Sequence, residues 1–283
     1  MIRSNAFTVA HMECYLLKET IRVLTDLLAF EVQSEGPHET TLRHPNTHWL
    51  LTVHEGGSTS PVKQMHNHYG VRVEKKVEVD AAYEYLTAHQ QEYGLEQIGK
   101  PDISHGSYSL YFLEPGTNGW EIECFEDVLR KEVSGTRLGG VRAKHWDRPL
   151  SEDRFPGKGY VPQAFTHGTL ASDDLEVSKR FYTEVLGLEI FKAYEKVVYL
   201  KYPQYKSYIV SLVREGKKNY SANFRFTVSV ESQDAVAEAH RWLMESGQEF
   251  GAKEVGEIQT QGNVSSFLLR DPDSNCWEIS SQN

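Results

Sequence analysis

Glu114-Pro-Gly-Thr-Asn-Gly-Trp-Glu-Ile122 and Asp271-Pro-Asp-Ser-Asn-Cys-Trp-Glu-Ile279 are two versions of one nine-residue stretch. Working outward from them, His11 matches His167, His68 matches Asn223 and Glu121 matches Glu278, at offsets of 167 − 11 = 156, 223 − 68 = 155 and 278 − 121 = 157. A near-constant offset over three separated positions is the mark of a tandem duplication. The 283-residue chain then divides into two domains of about 140 residues, each large enough to bury a core of its own.

Each half divides again into two units of about 55 residues. The first opens with a strand around Val9 to Leu17, continues through an apolar-periodic helix carrying Ile21, Val23, Leu24, Leu27 and Leu28, and ends in short strands such as Trp49 to Val53. Residues 165 to 214 repeat that order: Asp173-Asp174 precede a helix from Leu175 to Leu186, Gly187 stops it, and strands follow around Val197 to Leu200 and Tyr208 to Val213. The second unit of each half starts on a period-two strand, Tyr69 to Val73 or Phe224 to Val228. Helices over Val79 to Tyr93 and Gln233 to Ser246 follow, and each half closes on a Pro-containing turn and a strand bearing Trp-Glu-Ile. Strand, helix and three strands thus occur four times, an α+β pattern. The expected domains are 1–126 and 165–283, joined by a Gly- and Pro-rich linker at 127–164.

With 39% hydrophobic, 25% charged and 11% aromatic residues, the chain has an ordinary globular composition. No apolar run approaches the roughly 20 residues of a membrane span, and the start lacks the pattern of a secretory signal, so a cytoplasmic location is expected. Cys14, Cys124 and Cys276 are widely spaced and offer neither a disulfide framework nor a CxxC site; they read as small strand residues. A formal charge of −10 without a long basic run disfavours nucleic acid and anionic membrane as partners and favours a small molecule.

Four βαβββ units with a His on a first strand and a Glu on a last one resemble the vicinal oxygen chelate superfamily of glyoxalases, bleomycin resistance proteins and type I extradiol dioxygenases. Thr166-His-Gly-Thr-Leu170 with Arg180-Phe-Tyr-Thr-Glu-Val-Leu-Gly-Leu188 looks like the family's opening module, and the Trp-Glu-Ile tails like its closing one. The resemblance implies two tandem glyoxalase-like barrel domains, and side chains from first and last strands converging on a divalent metal. Paired modules of this kind often form homo-oligomers.

Two neutral imidazoles and a carboxylate on one face of a metal make the triad associated with non-haem iron(II), with positions open for substrate and oxygen. His68 and Glu121 belong to that set. The third ligand is His11 if modules pair with their sequence neighbours, which the short stretch from Gly56 to His68 favours; it is His167 if they pair across the halves. In the second half, Asn223 marks a lost site, since an amide is a weak neutral donor. Tyr111 stands 10 residues before Glu121, where type I extradiol enzymes resemble this pattern with a tyrosine that helps bind a catecholate; its counterpart is Leu268 (268 − 111 = 157). His105 is a candidate general acid or base. His44, His48, His54 and His66 read as surface or loop residues, and Arg72 as a salt-bridged face residue.

Glyoxalase I-like isomerases resemble this pattern with a further carboxylate on the partner module's last strand, yet Trp49 to Val53 and Tyr208 to Leu212 contain none. The resemblance therefore implies an extradiol-type dioxygenase that cleaves a catechol-like aromatic with O2 at Fe(II), Mn(II) and Zn(II) being other ions the donors suit. A metal-dependent isomerase, epimerase or transferase and a non-catalytic resistance-type binding protein are the alternatives.

Overall fold

The computed structural model describes residues 2–56, 64–104, 106–125, 144–214 and 221–281, with 64–66 and 104 described by backbone alone. Four modules follow one another. The first holds β1 (Ala6–Cys14), α1 (Leu17–Leu28), β2 (Glu31–Glu35), β3 (Glu39–Arg43) and β4 (Leu50–Glu55). The second holds β5 (Gln64–Arg72), α2 (Lys76–Ala88), the single turn α3 (Gln90–Tyr93), β6 (Asp102–Ser104), β7 (Ser107–Leu113) and β8 (Asn118–Cys124). The third holds β9 (Ala164–Ser172), α4 (Leu175–Arg180), β10 (Glu189–Tyr194), β11 (Val197–Lys201) and β12 (Tyr208–Val213). The fourth holds β13 (Arg225–Val230), α5 (Gln233–Ser246), β14 (Glu254–Val255), β15 (Gln259–Gln261), β16 (Val264–Arg270) and β17 (Cys276–Ser281). This is a mixed α+β fold of βαβββ modules, the fourth with one extra short strand, and among the described residues the strands form a sheet of nine and a sheet of eight.

Local chemistry sets the helix ends. Ser232 accepts the Ala235 amide at the start of α5, and Asp174 accepts the amides of Glu176 and Val177 at the start of α4. α1 buries Val23, Leu24, Leu27 and Leu28 on one face and closes on Ala29 in the left-handed region. The helix expected to reach Leu186 tightens only to Arg180; over Phe181–Val185 it widens, the Leu186 amide donating to the Phe181 carbonyl, before Gly187 (φ 69°) ends it.

The duplicated nine-residue stretch is a turn built around its first carboxylate. Glu114 accepts the amides of Gly116 and Asn118, and Asp271 accepts those of Asp273 and Asn275. Thr117 and Ser274, 274 − 117 = 157 apart, both take positive φ (77° and 68°). The same turn thus launches β8 and β17, which fixes where Glu121 and Glu278 fall.

The chain forms two compact units, one of Met1–Met12, Trp49–Thr52 and Thr169–Asn283, the other of Glu13–His48 and Val53–Gly168. In the second of these, β5 runs parallel to β8, Gly70 opposite Glu121, and β7 runs antiparallel to β8. The other edge of β5 pairs antiparallel with β9, Gly70 opposite His167, so the second module meets the third. Phe30, Tyr69, Trp120 and Phe165 pack around this ladder. In the first unit β13 runs parallel to β17, Thr227 opposite Glu278, and antiparallel to β1, His11 opposite Arg225, so the fourth module meets the first. Phe7, Trp49, Phe226 and Trp277 form its aromatic centre.

Of the stretch expected as a linker, 127–143 lies outside the described residues; beyond it Phe155, Tyr160 and Val161 are buried, and Tyr160 donates to the Leu27 carbonyl. His44, expected at the surface, is fully buried. Its Nε2–H donates to the Pro162 carbonyl (3.2 Å) and its Nδ1 accepts the Asn46 amide (3.3 Å), the pattern of a neutral ring, and burial pushes it down to about 3. All three cysteines are buried. No described helix is long and apolar enough to cross a membrane.

Candidate metal centre

His68 on β5, Glu121 on β8 and His167 on β9 come together, all buried, their ligand atoms within 4.8 Å of one another. Alternation along each strand aims all three to one side. Both imidazoles turn Nε2 toward the same carboxylate oxygen: Glu121 Oε2 lies 3.3 Å from His68 and 3.1 Å from His167. The His167 ring occupies the space over Gly70, where a Cβ would stand 2.1 Å from its Cε1. Only glycine admits the ring at that closeness.

The carboxylate's other oxygen, Oε1, accepts the Tyr111 hydroxyl at 2.8 Å, with Ser107 Oγ at 3.5 Å. The Tyr111 ring meets His68 edge to face, centroids 5.1 Å apart. Behind His167, Thr166 Oγ1 lies 3.0 Å from Nδ1 and 2.8 Å from Glu123 Oε1, and Arg72 grips that oxygen through Nε (3.1 Å) and Nη2 (2.7 Å). Arg72 also meets His145 Nδ1 at 2.8 Å.

Burial opposes ionisation of Glu121, but hydrogen bonds from His167 and His68 prevail and hold it well below the usual carboxylate range. Glu123 is likewise lowered against burial, chiefly by Arg72. Burial would lower His167; Glu123 and Glu121 outweigh it and raise the ring to about 9. Burial, then the Glu121 charge, push the Tyr111 phenol up, so it keeps its proton and acts as a donor.

The duplicated position is built differently. The parallel ladder pairs Thr227 with Glu278 as it pairs Gly70 with Glu121, so the residue before the matched pair Tyr69 and Phe226 is His68 in one half and Arg225 in the other. Arg225 (225 − 68 = 157), not Asn223, therefore stands in the place of His68; the unbroken ladder from Arg225 to Val230 leaves no room for an offset of 155. Arg225 Nε lies 3.1 Å from Glu278 Oε2. Thr227 Oγ1 lies 2.8 Å from that oxygen and 2.9 Å from His11 Nε2. His11, expected as the third ligand, thus belongs with Glu278 (3.7 Å) and not with His68, because β1 pairs with β13 while β5 pairs with β9. His105 lies outside the described residues.

The donor set suits a divalent ion. Two donors each about 2.1 Å from one ion lie roughly 3.0–3.4 Å apart at angles from square to tetrahedral, and the Nε2 to Oε2 distances of 3.3 and 3.1 Å match that. Outer hydrogen bonds to Nδ1 and to the carboxylate are the usual company of such ligands.

Residues 164–279 match the family model described as Glyoxalase/Bleomycin resistance protein/Dioxygenase superfamily. That segment belongs to the superfamily. Over nearly the whole length, the chain shares its fold with solved structures of glyoxalase I. A glyoxalase I mutant from Zea mays superimposes with a TM-score of 0.67 at 15% identity, covering 98% of this chain and 94% of that one. The unmutated maize glyoxalase I gives 0.65 at 15%, covering 98% and 92%. A Bacillus subtilis protein described as a candidate dioxygenase gives 0.63 at 12%, covering 99% and 86%. No curated protein sequence matches the chain.

Sequence reading singled out His68, Glu121, Tyr111 and, as the alternative to His11, His167, which the structure brings together; it missed Thr166, Glu123 and His145, and took Arg72 only for a face residue. One signal was present. Glu121 and Glu123 are two apart on one strand and so share a face, and 280 − 123 = 157 places Ser280 opposite Glu123 in the repeat.

Proposed function

We propose that His68, Glu121 and His167 hold a divalent metal ion, iron(II) in the working protein, and that the chain is an extradiol-type dioxygenase acting on a catechol-like aromatic and O2. The observation that carries this reading is the donor set, two imidazoles and one carboxylate converging from three strands with the Tyr111 hydroxyl beside them. Among the described residues of this unit, the neighbouring carboxylate, Glu123, sits behind the His167 ring and is gripped by Arg72. It is thus poorly placed to complete a four-ligand shell or to act as the base an isomerase needs.

When bound, iron(II) supplies the relay of electrons between a catecholate and dioxygen. The chain's own groups do the rest. Tyr111, held protonated by burial and by Glu121, donates its one O–H to Glu121 Oε1 at 2.8 Å and would turn from that carboxylate to meet a substrate oxygen. Buried walls around His68 and His167 keep water from the donors. His105 is the group we assign to proton transfer.

The test is metal analysis of protein purified without oxygen, with oxygen uptake on simple catechols. Stoichiometric iron or manganese, lost in His68→Ala and His167→Ala and retained in His11→Ala, with catechol-dependent oxygen uptake, supports the reading. Activity that persists without oxygen and with Zn2+ moves it to an isomerase. No uptake of added Fe2+, Mn2+ or Zn2+ sinks it in favour of a binding protein.

A further inference from the structure

We propose that Thr166 is a positioning residue that decides which ring nitrogen of His167 faces the centre, an inference that rests on reading His68, Glu121 and His167 as metal ligands. A threonine hydroxyl has one proton to donate and lone pairs with which to accept. Thr166 Oγ1 has three partners: Glu123 Oε1 at 2.8 Å, the Gly70 carbonyl at 3.2 Å and His167 Nδ1 at 3.0 Å. The first two are acceptors, since Arg72 keeps Glu123 a carboxylate. Whichever of them takes the hydroxyl proton, Thr166 can meet His167 only by accepting from Nδ1–H. Nδ1 is thereby held as the donor on the side away from Glu121, and Nε2, 3.1 Å from Glu121 Oε2, is the atom left to face a metal.

The unit that holds Glu278 serves as an internal control. The residue before His11 is Ala10, without a hydroxyl, and the counterparts of Glu123 and Arg72 are Ser280 and Ser229, each at an offset of 157 (280 − 123 and 229 − 72). Its hydroxyl sits on the other side of the ring: Thr227 Oγ1 lies 2.8 Å from Glu278 Oε2 and 2.9 Å from His11 Nε2. The same count of donors makes Thr227 donate to the carboxylate and accept from Nε2–H. A hydroxyl that primes His167 for a metal has a counterpart that blocks His11 from one.

Thr166→Val removes the hydroxyl at nearly constant shape, and Thr166→Ser restores it. We expect the Val variant to bind Zn2+, measured by chelator competition, about 10–100-fold more weakly than wild type, beside a modest fall in melting temperature from the lost hydroxyl, with both recovered in the Ser variant. Equal affinities for all three proteins overturn the proposal, as does a loss that tracks a fall in melting temperature and is not rescued by Ser. A second readout needs no metal: in 15N-histidine-labelled apoprotein the His167 Nδ1–H should exchange slowly in wild type and Ser and faster in Val. If wild type takes up no Zn2+ but shows that protected proton, the metal reading falls and the assignment of Thr166 stands. An unprotected Nδ1–H in wild type overturns the assignment whatever the metal does.

Discussion

Glu121 and Glu278 end equivalent strands after equivalent turns, yet each has its charge balanced in a different way. Glu121, 5% exposed at the side chain, faces two imidazoles, with Gly70 leaving space for one of them. Glu278, 19% exposed, is held by the Arg225 guanidinium and a Thr227 hydroxyl. A carboxylate withdrawn from water must find a cation or donors. One unit meets that demand with groups that suit a metal, the other with a cation of its own, and Tyr111, Thr166, Glu123 and Arg72 give way to Leu268, Ala10, Ser280 and Ser229 in the unit that holds Glu278.

The largest effect should come from erasing the difference. Arg225→His with Thr227→Gly returns the intact pattern around Glu278, where His11 Nε2 already lies within 3.7 Å; zinc uptake per chain, read by elemental analysis, should double relative to wild type. Uptake that stays at the wild-type level would show that the guanidinium is not what closes the second site. Next in size is Arg72→Ala, which strands Glu123 in the interior and should cost about 3–5 kcal/mol in denaturant unfolding, while Ser229→Ala at the matching position should cost about 1 kcal/mol or less. Equal losses would mean that the network behind His167 has no special standing.

The smallest effect is on pH. His167 is held up to about 9, above its ordinary 6.5, so its proton is bound more tightly in the folded protein. That stabilisation is complete below 6.5 and disappears as pH rises through about 9. The metal-free protein should therefore lose thermal stability across that window, with a shallower fall in His167→Gln. An identical slope in the variant would place the titrating group elsewhere.

The duplication, the modules and the pair of His68 with Glu121 were legible because each rests on local pattern: the Trp-Glu-Ile tails, period-two strands and a fixed offset. What the sequence could not carry was which strands lie side by side. His11 and His167 lie on equivalent strands, and only the ladders β1 with β13 and β5 with β9 decide which carboxylate each one faces. Residue-type matching pairs His68 with the polar amide of Asn223, whereas backbone register pairs it with Arg225. His44 looked like a loop residue because nothing in its neighbours shows that both ring nitrogens find backbone partners inside the fold.

The crossing of the ladders also orders events during synthesis. Gly70 meets His167 across 167 − 70 = 97 residues, but His11 meets Arg225 across 225 − 11 = 214. At ~5–20 residues per second, the ribosome takes roughly 3–12 s to add the 225 − 167 = 58 residues that separate the last donor of the centre from the partner of β1. The ladder that bears the centre can close while the chain is still being made. The first strand to emerge waits longest for its neighbour, and for those seconds it presents an unpaired edge that chaperones, or other nascent copies, can reach.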